Sequence, residues 1–402
     1  MKATDPGGRG SGRDGSDSPL NGFGQMLVLL RGLSVFAALV CFSIPAAAVT
    51  RLANPPDAAL VSAAESAFEL YPGVVVDPNN EAVYLMSPEG EVERVSLADG
   101  EVIWSTTAAA KPLALYGDLL MAQADRADGE NVLDIVLLDT RSGGQRRAYL
   151  PINLPTDVPG GVDEQLGHSL LVRAQIRAGL PLVTWEHTKS WVKGATPEPG
   201  EGLVQKQGAG YQVDFTTGSV TALDGAAIAS YKPAVPAGVE AWRRSNQPSI
   251  PVVRVDGGLL ATTHVQPGSE SISLMRWNAA SGAPLPEVDL FTGPHILQFT
   301  SSDGRHLLVS ERANPGEFNE YDWSIFSLET GLKLGQISHH RSHAWFHVSG
   351  DNLLYIEQPH GRRQGLSWVE EPLQVKAVDL VGGEALWTRS LRDTTFTGPY
   401  PP

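Results

Sequence analysis

The stretch SHHRSHAWFHVSG places His339, His340, His343 and His347 within nine residues, four of the chain's ten histidines. Imidazole nitrogens at such spacing are ligands that Zn²⁺ or Cu²⁺ accepts. On a strand starting near Ala344, residues 343, 345 and 347 share one face, whereas His339 and His340 fall on the connection before it. Two readings follow: a divalent-metal site, or a polar connection with solvated and water-bonded histidines. A second group lies in Gly225–Ser249, where Tyr231, Trp242, Arg243 and Arg244 are the residue types favoured as interface anchors. The alternative there is a loop folded back with Trp242 as its buried plug. The stretch around Ser190–Gly202, with Trp185, Trp191 and Lys193, is read the same way, while Trp277 and Trp323 sit on strand patterns and are expected in the core.

No catalytic pattern accompanies these residues. G-x-S-x-G, H-E-x-x-H, a phosphate-binding glycine loop and an EF-hand loop are all missing from the sequence. Ser, His and Asp side chains distant in sequence can still converge in space, so an enzyme stays open as the alternative.

The elements that must position these groups are short strands. Between Ile296 and Ser338 the chain reads ILQFTSSDG, RHLLVSER, a polar spacer, DWSIFSLETG and LKLGQIS, each piece ending at a polar turn. Six such units follow one another. The turn before the last strand reads SLADG, DTRSG, DFTTG, NAASG, SLETG and DLVGG, ending at Gly100, Gly143, Gly218, Gly282, Gly331 and Gly383. A short polar residue four before the glycine can bond the turn's own backbone, and glycine takes the positive-φ position. An earlier turn recurs at 77–80, 116–118, 256–258, 303–304 and 350–352. Two matched turns define a four-stranded meander, and meanders repeated radially make a β-propeller. The expected fold is all-β: a propeller of six visible four-stranded blades over 73–402, with seven or eight as the alternative. Insertions fall near 190–202 and 225–249, and 49–72 reads as a lead-in with a helical turn or two around Ala58–Phe68.

Gly100-Glu-Val-Ile-Trp104 and Gly383-Gly-Glu-Ala-Leu-Trp387 both carry Trp four after the glycine. This resembles the D-x-x-T-G-x-x-x-W repeat of quinoprotein-like propellers, in which the Trp docks between neighbouring blades. Arg147, Ala222, Pro286 and Gly335 hold that position in the other units. Enzymes of the family bind pyrroloquinoline quinone (PQQ) with calcium, many with a disulfide between adjacent cysteines. The one cysteine here, Cys41, lies in the N-terminal apolar segment, so PQQ is not expected. The resemblance leans instead toward the family's exported, non-catalytic scaffolds.

Residues 1–48 combine a Gly/Ser/Asp-rich start, Arg31, an apolar run and Ala46–Ala48, the order of a secretory signal cleaved after Ala48. An uncleaved membrane anchor at 26–50 is the alternative. Cleavage removes four Lys/Arg and three Asp/Glu, taking the net charge from −15 to −16. Such acidity disfavours nucleic acid and anionic membrane surfaces. The sequence thus points to an exported, periplasmic or extracellular, propeller that binds a protein or other macromolecule. Beyond a divalent metal at the histidines, no cofactor is expected.

Overall fold

The computed structural model describes residues 67–393, except 126–130, 147–149, 159, 163–167, 178–179, 191–203, 226–252, 256–257, 266–270, 293–296, 301–304, 314–319, 341–344 and 365–366. The signal segment, both insertions with Tyr231, Trp191, Lys193, Trp242, Arg243 and Arg244, and His343 all lie outside the described residues.

Six antiparallel sheets of four or five strands follow in chain order, and a separate two-stranded sheet is inserted in the last. Sheet 1 holds β1 (Phe68–Tyr71), β2 (Val74–Asp77), β3 (Ala82–Met86), β4 (Val92–Ser96) and β5 (Val102–Thr106). Sheet 2 holds β6 (Lys111–Tyr116), β7 (Leu119–Gln123), β8 (Val132–Asp139) and β9 (Leu150–Asn153). Sheet 3 holds β10 (His168–Arg177), β11 (Leu180–Ser190), β12 (Val204–Asp214) and β13 (Ser219–Leu223). In sheet 4 these are β14 (Val253–Val255), β15 (Leu259–Val265), β16 (Ser271–Asn278) and β17 (Val288–Thr292). Sheet 5 has β18 (Leu297–Thr300), β19 (His306–Arg312), β20 (Tyr321–Ser327) and β21 (Lys333–His339). Sheet 6 runs β22 (Phe346–Ser349), β23 (Asn352–Glu357), then a two-stranded hairpin β24 (His360–Gln364) and β25 (Ser367–Glu371), then β26 (Gln374–Asp379) and β27 (Ala385–Ser390).

The repeated turn is built as its residue types dictate. In all six, the glycine N–H donates to the carbonyl four residues back, and the glycine φ lies between 68° and 76°. Asp139, Asp214 and Asn278 each accept backbone N–H groups two and three residues on through Oδ1. A meander returns its first and last turns to the same edge, and backbone bonds tie them together: Leu97 to Glu81, Thr140 to Asp118, Ala279 to Gly258, Leu328 to Arg305 and Leu380 to Asp351.

Neighbouring sheets share apolar clusters that join 1 with 2, 2 with 3, 4 with 5, 5 with 6 and 6 with 1. The two tryptophans of the repeat dock on the next sheet's last turn. Trp104 Nε1 donates to the Thr140 carbonyl at 2.9 Å, and Trp387 Nε1 to the Leu97 carbonyl at 3.1 Å. A Cβ on Gly143 would meet the Trp104 ring at 2.7 Å, and one on Gly100 the Trp387 ring at 2.6 Å. The indole therefore takes the room that glycine leaves. Gly335, which replaces Trp in sheet 5, lets two backbones touch: a Cβ there would lie 1.8 Å from the Leu380 carbonyl oxygen.

Three local expectations change. Phe68–Tyr71, read as the end of a lead-in with helical turns, forms β1 and pairs with β2. Burial of Leu70, with Phe68 and Tyr71 packed on the same cluster, favours the strand. Trp185, grouped with an insertion, is on β11 and is buried. The β24–β25 hairpin was not anticipated, because its HGRRQ segment lacks the apolar alternation that marks a half-buried strand. Trp277 and Trp323 are in the core as expected, at 1% and 0% exposure.

Candidate functional site

Two arrangements stand out, on opposite edges of the sheets. The first is on the edge that carries the first and last turns. There β1 flanks β2 as the edge strand of sheet 1 and reaches several other leading strands at once. Glu69 meets Arg173 of β10 at 3.5 Å, the Phe68 ring lies 4.9 Å from His347 of β22, and the Tyr71 ring 4.9 Å from Trp345. Beside it opens a cavity of about 690 Å³ lined by residues of sheets 1, 2 and 3. Val75, Leu113 and Leu115 give it apolar wall, and Glu69, Asp77, Asn79, Asn80 and Gln175 give it polar groups.

The charges near this cavity are already engaged. Asp77 Oδ1 and Oδ2 accept from the backbone and side-chain nitrogens of Asn80, capping the turn that follows β2. Burial pushes the Glu69 carboxyl up from its ordinary value, although the Arg173 and Lys111 cations pull it back. Lys111, 4% exposed, is pushed down to about 8 by burial, with Glu69 opposing that shift.

The second arrangement is on the other edge, where β21 and β23 both end. Glu357, at the end of β23, is 3% exposed. His339 Nε2 lies 2.9 Å from its Oε2, and His340 Nδ1 2.6 Å from its Oε1. Lys376 Nζ stands 3.5 Å from Oε2 and His360 Nδ1 3.6 Å from Oε1. Burial alone would raise the Glu357 carboxyl, but the contacts from His339 and His340 outweigh it and hold the group well below the usual carboxylate range. Adjacent residues of a strand point to opposite faces. His339 is the last residue of β21 and the chain bends at His340, which lets both rings reach one carboxylate.

The four histidines of the sequence cluster are therefore divided. His339 and His340 come together, and His347 is buried on β22 against Phe68. Glu357 and His360 join the first two and were not singled out by the sequence reading. The signal for Glu357 was an acid closing an apolar strand, NLLYIE, whose last five positions are all buried. His360 carried no signal, since its place depends on the unanticipated hairpin.

Another histidine pair, His168 and His187, lies on sheet 3. Its partners are fixed by direction: Gln207 Nε2 donates to His187 Nδ1 at 3.3 Å, so His187 Nε2 carries the proton and donates to His168 Nδ1 at 3.0 Å. That chain is complete without an ion.

A scan against protein-family models found no matching family, and a search of curated proteins found no match. Solved structures similar to this chain include BamB from Moraxella catarrhalis, at 13% identity and TM-score 0.21, covering 68% of this chain and 66% of that one. The match thus spans just under two thirds of the BamB chain. A luciferin-regenerating enzyme matches at 10% identity and TM-score 0.28, covering 72% of this chain and 84% of its own. A structure described as the eukaryotic initiation factor matches at 10% identity and TM-score 0.33, covering 81% and 88%. These likenesses are loose. Among the described residues, no helix is long and apolar enough to cross a membrane.

Proposed function

We propose that the protein is an exported six-bladed β-propeller acting as a non-catalytic scaffold, which takes a protein or other macromolecule on the face carrying the first and last turns of each blade. The observation that supports this best is the cavity of about 690 Å³ on that face, with an apolar wall and an amide-rich rim of Asn79, Asn80 and Gln175. Rims of this kind offer directional hydrogen bonds around an apolar contact, the usual anatomy of a binding surface. Its carboxylates are engaged by Arg173, Lys111 and the turn after β2.

Six successive sheets support the six-bladed reading, as do the outer strands that dock on the next sheet's turn at Gly143, Gly331 and Gly100. Trp387 on Leu97 joins the last sheet to the first. Export rests on the secretory pattern of residues 1–48. The reading has no use for a quinone cofactor. Tyr231, Trp242, Arg243 and Arg244, by residue type, are further partner-binding candidates in this proposal.

The test is affinity capture from the native compartment, comparing the wild type with the paired change Asn79→Lys and Asn80→Lys on the rim. Glu89→Lys, on the exposed turn of the opposite edge, is the control. A partner retained by the control and lost by the rim variant supports the reading. A partner insensitive to the rim, or turnover of a substrate blocked by it, overturns it.

A further inference from the structure

We infer that His339, His340 and Glu357 form a site for a divalent transition-metal ion of the zinc type, on the edge opposite the cavity. Each residue offers one ligand atom, and these atoms all lie within 4.8 Å of one another. Two imidazoles and one carboxylate are a set that open zinc centres use, with water or a partner's group completing the shell. The set also suits the borderline ions that imidazole and carboxylate share.

Metal–ligand bonds of about 2.0–2.2 Å in a tetrahedral arrangement place neighbouring donor atoms roughly 3.3 Å apart. The 2.6 Å separation of His340 Nδ1 from Oε1 of Glu357 needs to open by about 0.7 Å. His340 is able to supply that movement. It sits past the end of β21 with its side chain 25% exposed, whereas the His339 side chain is 2% exposed. The open edge at His340 is also the entry path.

The surrounding groups hold these ligands in orientation. The His339 ring lies 4.2 Å from the Trp323 ring and meets Tyr355 edge-on at 5.2 Å. The His340 ring is stacked on His360 at 3.9 Å and 24°. His360 Nδ1 lies 3.1 Å from the Gln358 carbonyl, and its ring supports His340 by stacking. Lys376 approaches Oε2 of Glu357. That leaves Oε1, beside His340, as the coordinating oxygen. Lys376 is the charge that opposes a cation here, and at 26% exposure it is partly solvated.

The site rests on side chains brought together across sheets 5 and 6, independently of what the opposite face binds. It keeps His339 and His340 of the sequence cluster and adds an acid from a different strand.

The test is titration of the full chain, freed of metal by dialysis against chelator, with Zn²⁺ by calorimetry and with Co²⁺ by visible absorption. The wild type should take one equivalent, with the intense Co²⁺ bands of a low-coordinate site. His340→Asn and Glu357→Gln should weaken binding by more than the roughly 10–100-fold that loss of even an outer-shell partner costs. His168→Asn, in the self-contained pair on sheet 3, should leave it unchanged. Circular dichroism checks folding, and His340→Asn, at the partly exposed ligand, decides the matter if Glu357→Gln does not fold. Absence of one-to-one binding in the wild type, or wild-type affinity in a folded His340→Asn variant, overturns the proposal.

Discussion

Removing Trp387 tests how the last sheet is fastened to the first. Its side chain is 7% exposed and donates to the Leu97 carbonyl at 3.1 Å, and its ring covers Gly100. Burying an indole removes on the order of 150–250 Å² from water, which at about 25 cal/mol per Å² corresponds to roughly 4–6 kcal/mol. Measured Trp→Ala costs in cores run at about 3–5 kcal/mol. We therefore expect Trp387→Ala to cost about 4 kcal/mol. Gly100→Ala carries two penalties of its own. Its φ of 70° costs an alanine roughly 1–2 kcal/mol, and its Cβ would stand 2.6 Å from the Trp387 ring. Once Trp387 is gone that collision has no partner, so only the backbone strain should remain. The double variant should consequently be more stable than the sum of the single losses predicts, by about 1–3 kcal/mol. Urea unfolding followed by far-ultraviolet circular dichroism measures all three variants against the wild type. Additivity within about 0.5 kcal/mol would refute the reasoning, because it would mean that the indole does not rest on this glycine.

Other outcomes follow from the same contacts. Gly335→Ala should be among the most destabilising small changes in the chain, since its Cβ would meet the Leu380 backbone at 1.8 Å, and neither strand can withdraw without breaking its ladder. Soluble yield and melting temperature report it, with Gly218→Ala as a comparison that carries only a positive-φ penalty and has open space around its Cβ. Lys111 supplies a pH signature. Its folded pKa of about 8 lies below the unfolded value of 10.5, so between these two pH values the unfolded chain holds a proton that the native chain lacks, and stability rises with pH. The full shift corresponds to about 3 kcal/mol, and Lys111→Met should flatten the slope measured by denaturation at pH 7.5, 9 and 10. His339→Ala should cost about 3–5 kcal/mol in urea unfolding without added metal, because it strips a partner from the buried Glu357. His340→Ala, at a partly exposed ring, should cost clearly less.

The sequence by itself determined the parts whose physics is local. Each last turn needs a short polar side chain four residues before a glycine, and both requirements are met within five consecutive residues, so all six turns were legible at Gly100, Gly143, Gly218, Gly282, Gly331 and Gly383. Strand alternation is equally local, which is why six meanders were readable and why Trp277 and Trp323 fell in the core. The tryptophans at 104 and 387 were legible as docking residues through the family resemblance, although not which carbonyl each would reach. Tertiary structure alone decided what meets across sheets. Phe68–Tyr71 became a strand because β2 and the leading strand of sheet 6 offered it apolar partners. Gly335 gained its importance only from the approach of Leu380. His339 and His347, eight residues apart, went to different surroundings, whereas Glu357 came to His339 from eighteen residues away. Spacing along a chain sets which face of one strand a side chain takes. Which carboxylate that side chain finds depends on how the next sheet packs, and no single stretch of sequence carries that information.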